Sequence, residues 1–200
     1  MSFWKPSLKQ AWSSLNAKFW NFYERFYEWL FRLKPVGPPG EGILRLGLTH
    51  YRGPGIELEG GIRLKKGEIV GELHTNNDLI INLRGSIKDP LAFYAEILRR
   101  MRISLRELAK LADSDPKLLK VRAFRGTTLL FQAAKRVGFE VFPVETRLKA
   151  VLETRVQYFF LRKYLEGGFE KKKDKELVSH RIWLSRPRLM RLYGNHSSGK

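Results

Sequence analysis

Aromatic and aliphatic side chains recur at three- and four-residue steps near the start of the chain, which predicts an amphipathic helix over residues 8–33. The apolar arc of this helix covers roughly 200° of its circumference, and charged residues occupy the other side. These charges rule out a membrane-spanning helix, which needs roughly 20 almost uncharged residues. Two alternatives stay open: the helix packs on its own domain, or it lies in a membrane interface.

A Pro- and Gly-rich stretch comes next at residues 36–41 and predicts a linker. Beyond it lie four short runs rich in β-forming residues, separated by Gly-containing turns, which predict a meander of antiparallel strands. The runs cover residues 43–51, Ile56–Leu58, Ile62–Leu64 and 68–75. Apolar residues then take helical spacing over residues 90–112, with Asp89 as the expected N-cap and Pro90 in the first turn.

The second half of the chain contains a predicted β-α-β unit. A strand over residues 121–124 precedes a helix that begins at Thr127 or Thr128 and stops at Gly138, and a strand over 139–144 completes the unit. A further helix over 145–165, a charged run over 170–176, a strand over 181–184 and a short helix to Tyr193 complete the pattern.

These elements predict an α+β fold. It is a single domain with an antiparallel sheet, a β-α-β unit and packed helices, preceded by an aromatic-rich amphipathic N-terminal helix. The expected organisation is an N-terminal helix at 1–35, a Pro/Gly linker at 36–41, the α+β domain at 42–194 and a disordered tail at 195–200.

The charge balance changes the picture of what the domain binds. Against 38 Lys and Arg stand 20 Asp and Glu, so the 200-residue chain has a formal net charge of +18. We therefore expect a partner with negative charge: an anionic small ligand, an anionic membrane surface or a nucleic acid. The chain has no cysteine, which excludes thiol catalysis, Cys-ligated zinc and disulfides and fits a reducing cytoplasm.

A polar cluster near the end of the fourth strand is the strongest candidate site. Two-residue alternation places Glu72, His74 and Asn76 on the strand face opposite the core. Such a row can bind a sugar or a phosphate, or let Glu72 orient His74 as a general base, which makes these two residues the candidate catalytic pair. The alternative is a solvated sheet face that ends in an Asn turn at Asn76 and Asn77, where the side chains cap the next element of the chain.

Four arginines beside turns or small hydroxyl residues are candidates to complete an anion site: Arg52, Arg84, Arg125 and Arg186. Residues 125–128 are the best of these because they are expected between a strand and a helix, where free backbone N–H groups favour phosphate. The ordinary alternative makes Thr127 or Thr128 an N-cap, and Ser185 caps the last helix in the same way. The predicted ligand-binding set is His74, Asn76, Asn77, Arg52, Arg84, Arg125, Thr127 and Arg186.

Other motifs are weaker. The Gly-Lys spacing over residues 194–200 comes after a helix, lacks the Ser or Thr that ends a phosphate loop and is interpreted as tail. The acidic triplet at 113–115 is interpreted as a helix end.

Residues 104–109 resemble the first helix of a helix-turn-helix, but the next elements are predicted as a strand and a buried helix. The four histidines, at positions 50, 74, 180 and 196, are scattered, so neither a metal nor a cofactor is expected.

Several separated motifs match one known family in order: residues 51–54, 70–74, 138–141, 183–186 and 192–194. They resemble the YkoP-like domain of Gram-positive bacteria. That family occurs alone and joined to polysaccharide deacetylase domains, so the resemblance implies a connection with the cell envelope and its glycans. The deacetylase activity does not carry over, because its metal site needs an Asp-Asp pair that this chain lacks.

The function expected from these residues and this resemblance is an accessory role. The protein is expected in the cytoplasm, peripheral at the inner face of the membrane, where it binds a lipid-linked or phosphorylated sugar of the envelope and contacts envelope glycan enzymes. The alternatives are an enzyme of envelope glycan metabolism that uses Glu72 and His74, and a protein that binds nucleic acid without sequence preference.

Overall fold

The computed structural model describes residues 32–129, 131–144, 151, 154 and 179–194. Nearly all of the predicted N-terminal helix lies outside the described residues. The charged run at 170–176 and the tail at 195–200 lie outside them too, as does the predicted helix over 145–165 apart from positions 151 and 154, which are helical.

The described strands form a six-stranded sheet and a separate two-stranded hairpin. They are β1 (Lys34–Val36), β2 (Leu44–His50), β3 (Ile56–Leu58), β4 (Ile62–Leu64), β5 (Ile69–Thr75), β6 (Ala123–Thr128), β7 (Glu140–Pro143) and β8 (His180–Ser185). The described helices are α1 (Asn77–Ser86), α2 (Pro90–Ser114), α3 (Phe131–Arg136) and α4 (Arg186–Tyr193). This content confirms the predicted α+β class.

The main sheet has the strand order β1-β2-β5-β6-β8-β7. Neighbouring strands pair antiparallel except β5 and β6, which run parallel. Strands β6 and β7 both pair antiparallel with β8, so they run parallel to each other with β8 between them. The β-α-β unit of β6, α3 and β7 is therefore a split unit. Helix α3 ends at Arg136, just before the predicted stop at Gly138, whose φ of 94° favours glycine.

Helix α2 provides much of the core on one sheet face. Its fully buried apolar residues recur at three-, four- and seven-residue steps, as a core-facing stripe requires: Leu105, Leu108, Ala109 and Ala112. They belong to the same core cluster as Leu73, Phe124 and Leu184 of the sheet. A Cβ at Gly71 of β5 would lie 2.4 Å from the Phe124 ring, so only glycine allows this approach of β5 and β6.

A buried polar residue also joins α2 to the sheet. The Ser104 hydroxyl accepts hydrogen bonds from the backbone N–H groups of Ile43 (2.8 Å) and Leu44 (3.2 Å). Residues 104–109, which resembled the first helix of a helix-turn-helix, lie within one 25-residue helix. Four of them are buried: Ser104, Leu105, Leu108 and Ala109. The turn and strand β6 that come after α2 leave no place for the second helix of a helix-turn-helix there.

The opposite face of the sheet has a smaller core under the β3–β4 hairpin. Six buried residues form it. Among them, Tyr51 comes directly after β2, Val70 belongs to β5 and Trp183 to β8. Both hairpin strands have the predicted bounds. This second core leaves the remainder of that face to polar side chains.

Three differences from the expected elements affect the site. Residues 34–36 form the edge strand β1, where Pro35 is tolerated, so residues 37–42 are the turn of a β1–β2 hairpin and not a free linker. Helix α1 is an additional element. Strand β6 extends to Thr128, so residues 125–128 lie inside the sheet and the expected helix start at Thr127 or Thr128 is wrong.

Candidate functional site

The sheet register brings the predicted polar residues of β5 into line with β6 and β8. Glu72 lies opposite Arg125, and Arg125 lies opposite Trp183. The Arg125 Nε atom donates to the Glu72 Oε2 atom at 2.5 Å, and the two side chains are only 17% and 10% exposed. The predicted cluster therefore contains a largely buried ion pair.

Two aromatic rings complete the surroundings of this guanidinium. The Arg125 Cζ atom lies 5.8 Å from the ring centroid of Tyr51 and 5.8 Å from that of Trp183. The two rings meet edge to face, with their centroids 5.4 Å apart. The Glu72 carboxylate and the two aromatic rings thus hold the Arg125 guanidinium in place. Charge-assisted hydrogen bonds and cation–π contacts of this kind are typical of a structural arginine.

His74 lies in the next row along the same face, opposite Arg45 of β2. Burial, together with the positive charges of Arg125 and Arg45, lowers the pKa of His74 to about 4. The imidazole is therefore neutral at pH 7 and a weaker base than an ordinary histidine. The Glu72 carboxylate that was expected to orient it holds Arg125.

Asn76 and Asn77 lie at the start of α1, where their side chains accept hydrogen bonds. The Asn76 Oδ1 atom accepts from the backbone N–H of Leu79 at 3.3 Å and from Arg45 Nη2 at 3.2 Å. Asn77 Oδ1 accepts from the Thr75 hydroxyl at 3.0 Å. Asn76 is the N-cap of the helix, which is the capping role that the alternative interpretation predicted.

Thr127 also belongs to this sheet face. Its hydroxyl accepts a hydrogen bond from Arg181 Nη1 of the neighbouring strand. Because the backbone of residues 123–128 pairs with β8, the expected set of free N–H groups at a helix start does not exist at residues 125–128. That part of the anion-site prediction is wrong.

The other three predicted arginines do not join the cluster. Arg84 Nη1 donates to the carbonyls of Ile87 and Lys88 at 2.9 and 2.8 Å, just past the end of α1. Arg186 binds the Leu118 carbonyl at 2.7 Å and also that of Ala112 in α2. Arg52 is exposed in the loop after β2. The structure thus gathers Glu72, His74, Asn76, Arg125 and Thr127 on one face and places the remaining arginines elsewhere.

A second arrangement of cations lies where α2, the end of α3 and α4 meet. These elements surround a cavity of about 400 Å³, which we name the basic cleft. Its described lining residues include five cations and no acid: Arg102, Arg106, Lys135, Arg136, Val137, Gly138, Arg188, Leu192 and Tyr193.

The charges of the basic cleft are poorly compensated. Arg102 and Arg106 lie four residues apart on α2, where like charges repel. None of the ion pairs of the described residues includes Arg102, Arg106, Lys135 or Arg136. Lys135 and Arg136 lie instead 6.0 and 5.8 Å from the ring centroids of Phe131 and Tyr94. The cleft therefore presents net positive charge.

Tyr193 forms one wall of the cleft. Its hydroxyl donates to the Val137 carbonyl at 2.9 Å. Burial raises the pKa of Tyr193, and the positive charges of Arg102 and Arg106 oppose that rise. With Leu192, the ring gives the cleft an apolar side next to its cations.

None of these residues is in the predicted ligand-binding set, because that set was built on arginines beside turns and small hydroxyl residues. The available signal was the Arg102–Arg106 pair at a repulsive helical spacing, together with Lys135 and Arg136 directly before a predicted helix stop. Nothing in the sequence shows that the two pairs meet.

In the described ranges no three His, Asp or Glu residues come together as a metal site. Within the same ranges, no helix is both long enough and apolar enough to cross a membrane.

Comparison with known proteins supports the resemblance carried by the motifs. The family model described as the YkoP domain matches residues 13–193 of the chain. The chain belongs to the YkoP family. The uncharacterised protein YkoP of Bacillus subtilis (strain 168) is similar to it, with 24% identity over 122 residues, which cover 61% of this chain and 67% of that protein. No solved structure matches the chain. The YkoP motif residues 70–74 include the buried Glu72, and residues 183–186 include Trp183 and the helix-capping Ser185.

Proposed function

We propose that this YkoP-family protein is a non-catalytic accessory protein that binds a phosphate-bearing ligand in the basic cleft. The observation that carries the proposal is the charge of the cleft. The described residues that line this cavity of about 400 Å³ include five cations and no acid, and four of the five are in no ion pair of the described residues. Guanidinium groups suit phosphate because they offer several donors in a fixed plane.

The apolar side of the basic cleft indicates a ligand that has a carbon skeleton as well as a phosphate. Leu192 and the ring of Tyr193 can contact a carbon skeleton while the arginines bind its phosphate. A phosphorylated or lipid-linked sugar has both parts. The envelope connection that the family resemblance implies supports this class, and it is consistent with a site at the inner face of the membrane.

The polar sheet face is the weaker candidate for this function. The charge of Arg125 is engaged by Glu72 in a largely buried pair, and Asn76 caps a helix. A neutral His74 with a pKa of about 4 also gives little support to catalysis by the Glu72–His74 pair. We therefore place the ligand in the basic cleft.

The proposal is tested by isothermal titration with UDP-N-acetylglucosamine, a soluble sugar joined to a diphosphate. The test variant is Arg102→Gln with Arg106→Gln. The matched control is Lys65→Gln with Lys66→Gln, which removes the same charge from an exposed turn. Loss of two charge-assisted bonds is expected to weaken binding by at least about tenfold in the test variant, whereas the control changes it by less than about twofold.

Equal weakening in both variants would show attraction by bulk charge alone and would overturn the proposal. A parallel titration with a single-stranded oligonucleotide covers the nucleic-acid alternative. If the oligonucleotide binds and the nucleotide sugar does not, the function is nucleic-acid binding. Thermal unfolding of each variant checks that the chain remains folded.

A further inference from the structure

The turn between β3 and β4 contacts α4 through the carboxylate of Glu59. Glu59 Oε2 pairs with Arg188 Nη1, and Glu59 Oε1 accepts from Arg191 Nη2 at 3.0 Å. The two arginines are three residues apart, so they lie on one side of α4. The Glu59 carboxylate therefore ties the hairpin to this helix.

Arg188 is shared between this contact and the basic cleft. It lines the cleft, and its Nε atom donates to the carbonyl of Gly138, another lining residue, at 2.7 Å. The Nη1 atom of the same guanidinium is engaged by Glu59. Glu59 thus offsets part of the positive charge of a cation at the edge of the cleft.

The ion pair between Arg188 and Glu59 is weak enough for a more highly charged anion to replace Glu59. The Glu59 side chain is 52% exposed, and ion pairs in contact with water are weak. Gly60 and Gly61 come directly after it with φ values of 83° and 73°, so the turn consists of residues that adopt this backbone at little cost. A phosphate group carries more charge and more acceptor oxygens than a carboxylate.

We propose that Glu59 competes with the phosphate of the ligand for Arg188 and so lowers the affinity of the basic cleft. Ligand binding displaces the carboxylate from Arg188 and loosens the hold of the β3–β4 hairpin on α4. This inference rests on the proposed function and adds regulation to the same site.

The test compares Glu59→Gln with Glu57→Gln in the titration with UDP-N-acetylglucosamine. Both substitutions remove one negative charge from the same hairpin, but Glu57 pairs with the exposed Arg63 and not with the cleft. Release of a surface pair is expected to tighten binding by about two- to fivefold in Glu59→Gln. Glu57→Gln is expected to change binding by less, through its distant charge alone.

Two outcomes separate this inference from the proposed function. If Glu59→Gln and Glu57→Gln tighten binding equally, or if Glu59→Gln has the same effect in an Arg188→Gln background, the competition is overturned while ligand binding stands. If the native chain does not bind the nucleotide sugar, the proposed function fails and the inference falls with it.

Discussion

Replacing Glu72 by glutamine tests the role of the buried ion pair on the sheet face. The variant keeps the size of the side chain but leaves the Arg125 guanidinium charged between Tyr51 and Trp183 without its carboxylate. Removing one member of a buried pair costs about 3–5 kcal/mol, and the remaining amide oxygen favours the lower end. At about 2–4 °C per kcal/mol for a domain of this size, we expect the melting temperature to fall by about 6–12 °C.

Circular dichroism at pH 7 measures this shift, and Glu57→Gln is the matched control. Glu57 pairs with Arg63 at 2.8 Å, but these side chains are 56% and 76% exposed, so its loss should cost less than about 1 kcal/mol. Adding Arg125→Met to the Glu72 variant should recover part of the lost stability, because no buried charge then remains. Equal melting temperatures for Glu72→Gln and Glu57→Gln would refute the structural role of the pair.

Two further predictions concern single buried groups. Because the folded pKa of His74, about 4, lies below the unfolded value of 6.5, its contribution to stability is complete above about pH 6.5 and is lost as the pH falls toward 4. An NMR titration of the imidazole protons should show this low midpoint, and a midpoint near 6.5 would contradict the burial of His74. Ser104→Ala should cost about 1–3 kcal/mol in urea unfolding, since the N–H groups of Ile43 and Leu44 lose their acceptor. A midpoint unchanged from the native protein would mean that these groups find other acceptors.

Local signals predicted the elements that depend on local contacts. The β3–β4 hairpin has the predicted bounds because two alternating runs flank a Gly60-Gly61 turn. Asp89 accepts from the backbone N–H of Ala92 at 2.7 Å and so caps α2 as predicted. Both features are decided within a few residues, which is the range over which sequence patterns are informative.

The elements that depend on distant partners were not predictable in the same way. Residues 125–128 are polar and contain a glycine, so they resemble a loop, yet they complete β6. Glu72 and Arg181, each more than 50 positions away, bind the side chains of Arg125 and Thr127 and satisfy them inside the sheet. The basic cleft has the same origin, because its cations come from three helices that are separate in sequence.

Whether an arginine side chain is engaged within the protein depends on whether the fold places a hydrogen-bond acceptor next to it. Helix ends and turns leave carbonyls that side chains can reach, and Arg84 and Arg186 donate to carbonyls of this kind, so these two guanidinium groups are engaged within the fold. Arg102 and Arg106 have no such acceptor among the described contacts and repel each other on α2. An anion bound as proposed in the basic cleft would relieve that repulsion, so UDP-N-acetylglucosamine should raise the melting temperature of the native chain and do so less at high salt.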